Sequence, residues 1–248
     1  MMTPGDAPTF RLAYVPGVTP NKWVRIWAER RPDVPLDLVP LAVADCTEAV
    51  GQGNVQMAIT RIPDALHHGD PGAHHVIELY VETTVVVLPK DHLLTAGDEL
   101  TMDDLGGEQF LWPLDEPLAV PHRPGAEIDH RPETVGDAIE LVAAGIGLLL
   151  VPQSLARLHH RKDLVYRPVT DAPTGAVGLL WPQPTDELAD EFVGIVRGRK
   201  STSSRGRSEP APKRSAKEKA AAKRAAREAA GKIPGKSTRK GAGRPRRH

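Results

Sequence analysis

The sequence predicts an α/β protein of two Rossmann-like lobes, followed by a basic C-terminal segment of different character. Three observations carry this. Short β-branched runs alternate with helix-period patterns through residues 1–198. The alternation starts afresh near Thr83, as a second unit. The charge then reverses: of 32 basic and 32 acidic side chains, residues 199–248 hold 18 basic and 3 acidic, so a formal +15 segment follows a formal −15 body. The expected organisation is an N-terminal segment 1–9, a body 10–198 and a tail 199–248. Within the body, one lobe takes about 10–82 and 170–198, the other about 83–169.

In chain order, Phe10–Val15 reads as a strand and Pro16-Gly17-Val18 as a turn. Thr19 offers a hydroxyl N-cap, and Pro20 suits a first helical turn. Trp23, Ile26, Trp27 and Arg30 keep helical spacing until Pro32 stops it. Leu36–Leu41 is a strand, Asp45–Gly51 a short helix and Val55–Thr60 a strand, a rhythm that implies parallel pairing. In the second unit, Thr83–Leu88 is an unbroken apolar run of buried-strand type. Thr101 suits a helix cap, Gln109–Trp112 a strand and Val135–Ala144 a helix, with Gly145 and Gly147 bracketing the turn into Leu148–Val151. Gln153–His159 reads as a helix, Leu164–Val169 and Ala176–Trp181 as strands, and Asp186–Val196 as a closing amphipathic helix. The last elements are expected to return to the first lobe.

Composition narrows the function. No stretch approaches the roughly 18 apolar residues of a membrane span, and Met1–Pro8 has no secretion-signal pattern. A single cysteine, Cys46, excludes a disulfide framework and a cysteine zinc cluster. A cytoplasmic, nucleoid-associated location is the expectation.

Catalytic machinery is not legible, and no cofactor is expected. Ser154 is the only serine in residues 1–198 and lacks a Gly-x-Ser-x-Gly context; no phosphate loop occurs. Cys46 reads as a packing residue. The pairs His67-His68, His74-His75 and His159-His160 lack chelating spacing, and the first two fall in a polar loop, so no metal site is assigned.

Binding positions are better marked. Ligands of open α/β sheets collect beyond strand ends, near helix N-termini. Gly17, Val18 and Thr19 follow the first strand, Thr60 and Arg61 end the third, and Thr134 and Val135 begin the second-lobe helix. Thr19 would donate to a ligand oxygen and Arg61 would fork a carboxylate. The alternatives are plain N-caps for the threonines and a surface salt bridge for Arg61.

The tail begins with a Ser/Gly/Arg linker, and Glu209–Pro212 adds proline stiffness. Ser215–Glu218 has capping-box spacing, and the Ala-rich run to Gly231 places Lys219, Lys223, Arg224 and Arg227 on one broad helical face. Gly243–Arg246, with Arg244, Arg246 and the adjacent Arg247, resembles the Gly-Arg-Pro core of an AT-hook, although Ala242 stands where a further arginine is usual. The Lys/Ala/Pro composition also resembles the arms of actinobacterial histone-like proteins. DNA is the expected partner; a solvated solubility tail is the other reading.

Several body segments together resemble a known family. They are Phe10–Val15 leading into Pro16–Trp23, Arg31–Val34, Met57–Arg61, Val86–His92, and Leu141–Leu148 with Val151-Pro152. In this order they resemble the effector-binding domain of LysR-type transcriptional regulators, over about residues 10–198. The resemblance implies a fold like type II periplasmic binding proteins, with a small effector in the interlobe cleft at the positions named above. Such regulators carry an N-terminal winged helix-turn-helix and a linker helix before this domain. Here the chain begins about eight residues before the first strand, so the expectation is that this DNA reader is absent. The reading is a non-enzymatic ligand-sensing regulatory protein, homodimeric through this domain, that takes a small organic anion and associates with DNA through its tail. The alternative is a nucleoid-associated structural protein with a vestigial cleft.

Overall fold

The computed structural model describes residues 9–62 and 74–199. Strand β1 (Phe10–Tyr14) runs parallel to β2 (Leu36–Pro40) and β3 (Met57–Arg61), with helices α1 (Asn21–Arg30) and α2 (Val43–Gly51) as the crossovers. The first sheet is completed by β4 (His74–Glu82) and by β10 (Gly175–Pro182), which inserts antiparallel between β3 and β4, giving the order β2-β1-β3-β10-β4. The last helix, here α5 (Glu187–Val196), also packs on this lobe. Phe10 stacks on Trp27 at 4.5 Å and on Phe192 at 5.4 Å, tying the first strand to the first and last helices. Each such side chain, removed from water, contributes about 1.5–3 kcal/mol.

The second lobe is contiguous. Its sheet has the order β8-β5-β9, from β8 (Leu149–Pro152), β5 (Thr84–Pro89) and β9 (Leu164–Pro168). Helices α3 (Val135–Ala143) and α4 (Gln153–Leu158) cover one face. The uninterrupted apolar run of β5 follows from the strand's two-residue period: Val85 and Val87 enter the core under those helices, while Val86 and Leu88 enter a second core with Leu105, Phe110 and Trp112. Gly145 and Gly147 both take positive φ, 79° and 69°, in the turn before β8.

The chain crosses between lobes twice, at Glu82–Thr84 and between Val169 and Gly175. The crossovers are joined where the Thr84 hydroxyl donates to the Pro173 carbonyl and Val169 N–H to Thr84 O at 3.0 Å.

Three local expectations are corrected. Pro20, not Thr19, is the N-cap of α1: its backbone is already helical (φ −79°, ψ −3°), its carbonyl takes the Trp23 N–H, and the exposed Thr19 makes no cap bond. His74 and His75 open β4 rather than lying in a loop. That strand escapes a pattern reading because Val76, Ile77, Leu79, Tyr80 and Val81 do not alternate with polar residues. It is nonetheless fixed along its length by β10. Finally, the strand expected at Gln109–Trp112 shortens to β6 (Gln109–Phe110), which pairs parallel with β7 (Ala126–Glu127). Past Phe110 the Leu111 N–H turns to Leu148 O instead.

Candidate functional site

A cleft of about 570 Å³ lies between the lobes. The first lobe contributes Pro16, the start of α2 (Ala42, Val43, Ala44) and Arg61. The second contributes Leu114–Pro117, Thr134–Gly136 and the outer face of α4, with Leu155, Leu158 and His159. Leu114 and Leu158, 61% and 55% exposed, both stand at this cleft. Val43, Arg61, Glu116 and Pro117 also line a second cavity of about 820 Å³ beside the crossovers.

Arg61, the last residue of β3, is only 5% exposed. Each nitrogen of its guanidinium is engaged: Nε donates to Glu82 Oε2 at 2.8 Å, Nη1 to Pro16 O at 3.1 Å and Nη2 to Ser154 Oγ at 3.1 Å. Glu82 is equally buried, and its Oε1 has no partner among the described residues. Arg61 thus ties the ends of β3 and β4 and the first turn after β1 to α4 of the opposite lobe. A salt bridge, the alternative given for Arg61, is present, but in the interior rather than on the surface. Gly17 belongs to the same junction: with φ +86°, its missing Cβ would sit 2.7 Å from Ser154 Oγ.

The other expected site residues divide. Thr134 and Val135 line the cleft together with Arg61. The Thr134 hydroxyl is already engaged in a capping box, accepting from Asp137 N–H at 3.1 Å and donating to Asp137 Oδ2 at 2.7 Å. Val18 is buried, and Thr19 is exposed on the approach to α1. Thr60 is 2% exposed; its hydroxyl donates to Arg61 O at 3.3 Å and faces the Cys46 thiol. Strand alternation explains this: Arg61 points to the cleft side, so Thr60 points away. The tail positions Lys219, Lys223, Arg224, Arg227, Arg244, Arg246 and Arg247 lie outside the described residues.

Sequence reasoning passed over most of the cleft wall. The N-terminus of α2 is capped by Ala42 with no side-chain bond; the Asp45 N–H turns back to Ala42 O at 3.1 Å and Asp45 adds an acidic group to the first turn, whereas α3 is closed by its own box. Asp115 accepts the Val135 N–H, and burial pushes its carboxyl above the ordinary range. Burial likewise raises Glu116, against the pull of Arg123, which holds it at 2.8 Å and stacks over Trp112 at 4.2 Å. The His159 ring rests on Gly136, with Cε1 3.2 Å from where a Cβ would lie. Only the small residues at the start of α2 and the glycine at 136 hinted at this. Among the described residues, no group of three His, Cys, Asp or Glu could hold a metal, and no helix is long and apolar enough to cross a membrane.

The family model described as the LysR substrate binding domain matches residues 4–201. The transcriptional regulator CatR of Pseudomonas putida is 34% identical over 155 residues, 58% of this chain and 50% of its own length. The Hca operon transcriptional activator HcaR of Escherichia coli is 25% identical over 210 residues, 80% of this chain and 67% of that one. The chain therefore spans about half to two-thirds of the curated relatives named. Among solved structures, the BenM effector-binding domain with its effector benzoate superposes with a TM-score of 0.60 at 19% identity, covering 82% of this chain and 99% of that one. At that identity the likeness establishes the fold, a type II periplasmic-binding-protein-like arrangement.

Proposed function

Since this chain belongs to the LysR substrate-binding domain family, we propose that it is a non-enzymatic ligand-sensing regulator whose body, residues 10–198, holds a small organic anion between the lobes. The observation that carries the reading is the interlobe cleft of about 570 Å³, within the size range of small-molecule sites and walled by both lobes. A ligand touching both walls stabilises one relative placement of the lobes over others, which is what a sensor requires. The anionic end is assigned to the N-terminus of α2 at Ala42–Ala44, which no side chain caps and which faces the cavity. Arg61, Thr134 and Val135 frame the cavity, with Arg61 holding the junction rather than forking a carboxylate. That benzoate is the effector of BenM, a protein of this fold, supports a carboxylate.

The second half of the proposal is that the tail, residues 199–248, associates with DNA through Lys219, Lys223, Arg224, Arg227 and the Arg244–Arg247 cluster, placing the protein in the cytoplasm at the nucleoid. The support is charge: a formal +15 segment joined to a formal −15 body that repels phosphate. A homodimer through the body is part of the reading.

The test is duplex-DNA binding by the full chain and by a chain ending at residue 198, compared across salt, with a thermal-shift screen of small organic acids on both. If about 6–10 tail charges engage DNA, affinity falls roughly 10³–10⁵-fold between 50 and 200 mM salt. Tight binding by the shortened chain removes the tail from the proposal. DNA binding with no stabilising acid leaves a structural nucleoid protein with a vestigial cleft.

A further inference from the structure

Of the residues that line the interlobe cavity, only Arg61 and His159 can carry positive charge. The charge of Arg61 is matched by Glu82, 2.8 Å away in the interior. Of the two lining carboxylates, Glu116 is matched by Arg123 at 2.8 Å. Asp115 accepts two main-chain N–H groups, its own and that of Val135, and its only cationic neighbour among the described residues is the His159 ring. With His159 neutral, the wall sums to one negative charge, which opposes an anion. With His159 protonated, that opposition is gone.

His159 is placed to make this change. It is the C-cap of α4, half-buried, with its ring seated against Gly136. Neither ring nitrogen has a hydrogen-bond partner among the described residues. The other charged groups around it are engaged or turned to solvent. On and after its own helix, Arg157 donates to Tyr166 Oη at 3.3 Å, His160 is exposed, and Arg161 pairs with Asp163 at 3.0 Å and with Glu140. At α3, Asp137 closes the capping box with Thr134, and Glu133 before it is exposed. From the first lobe come Arg61 with its Glu82, and the exposed Asp45 just beyond the lining start of α2.

A negative charge brought near a neutral imidazole raises its affinity for a proton. We propose that the cleft takes up its anion together with a proton: His159 becomes imidazolium as the ligand enters and supplies the positive charge that Arg61 gives to Glu82. This rests on the reading of the cleft as an anion sensor and adds the regulation of that site, a response that strengthens as pH falls. By linkage, if the anion favours protonated His159, protonated His159 favours the anion by the same factor. Affinity is therefore greater on the acid side of the imidazole titration and is lost as pH rises through it.

Benzoate, phenylacetate and isocaproate serve as probes, titrated calorimetrically into the full chain between about pH 5.5 and 8, where each is ionised and histidine changes charge. At least one should bind at least about fivefold tighter at the acid end, the lower end of usual coupling between sites. Near neutral pH its heat of binding should vary with the ionisation heat of the buffer, the mark of proton uptake. Burial raises the Asp115 and Glu116 carboxyls, and their protonation would favour an anion in the same direction. His159→Gln separates the two causes, because it keeps a polar side chain against Gly136 without a charge. This variant should match the parent's affinity at the alkaline end, stay flat across the range and show no buffer-dependent heat. If affinity is flat in the parent, or if its pH dependence survives His159→Gln, the inference is overturned and the sensor reading stands. If none of the three acids binds at either end of the range and the wider screen of organic acids is also silent, the sensor reading falls and takes this inference with it.

Discussion

Replacing Arg61 by alanine should destabilise the body by about 3–5 kcal/mol, the usual cost of removing one member of a buried ion pair. Side-chain exposures of 5% for Arg61 and 4% for Glu82 put both groups out of reach of compensating water. The substitution leaves the Glu82 carboxylate without the one cation that offsets its burial, and Glu82 Oε1 is already without a partner. It also frees the Pro16 carbonyl and the Ser154 hydroxyl, which Arg61 engages at 3.1 Å each. For a domain of this size each kcal/mol corresponds to about 2–4 °C, so the melting temperature should fall by roughly 6–20 °C. Urea unfolding followed by tryptophan fluorescence gives the free energy independently; Trp27 and Trp112, in the two lobes, report on both cores. The pair Arg61→Met with Glu82→Leu should recover most of the loss, because an apolar pair carries no desolvation penalty. A single Arg61→Ala variant melting within about 2 °C of the parent would refute the assignment of Arg61 as a junction and return it to the cleft as a free guanidinium.

Three further outcomes are expected. Thr134→Ala removes the capping box of α3 and should cost about 1 kcal/mol in the same urea experiment, with Thr134→Ser restoring it. Gly17→Ala should destabilise by about 1–3 kcal/mol, since φ is +86° and the new Cβ meets Ser154 Oγ; adding Ser154→Gly should relieve the contact but not the backbone strain, recovering only part of the loss. Cys46 is fully buried and its thiol is pushed up by that burial, so a thiol reagent at pH 8 should label it only on the timescale of unfolding; rapid labelling of the native protein would place α2 away from β3.

The sequence exposed the elements whose pattern comes from a single demand. The run Thr84–Leu88 is apolar because two cores take alternate residues, and α1 shows its spacing because only one face is covered. Strand β4 was illegible because it is an outer strand with mixed exposure, so no clean alternation survives in residues 74–82. In the site, Arg61 was visible as the polar end of an apolar strand, but its partners Glu82 and Ser154 lie 21 and 93 positions away, beyond any local pattern. The hydroxyl of Thr134 announced a cap and supplied one; the start of α2, an alanine without a side-chain cap bond, announced nothing. Asp115 sits in a turn and His159 caps the C-terminus of α4, and only the fold brings them to one wall.

The insertion of β10 between β3 and β4 also dictates a timetable for synthesis. As the chain leaves the ribosome, β3 and β4 appear early, yet the strand that joins them begins at Gly175, more than ninety residues beyond the end of β4. At translation speeds of about 5–20 residues per second, the gap lasts on the order of ten seconds. The second lobe, whose sheet strands all lie between Thr84 and Pro168, can complete its hydrogen-bonded ladder within that interval. The first lobe must wait with one flank of β3 and the whole of β4 lacking their native neighbour. Nascent chains whose emerged portion ends between residues 169 and 174 should therefore hold a finished second lobe beside an open first sheet, an exposed edge of the kind chaperones engage.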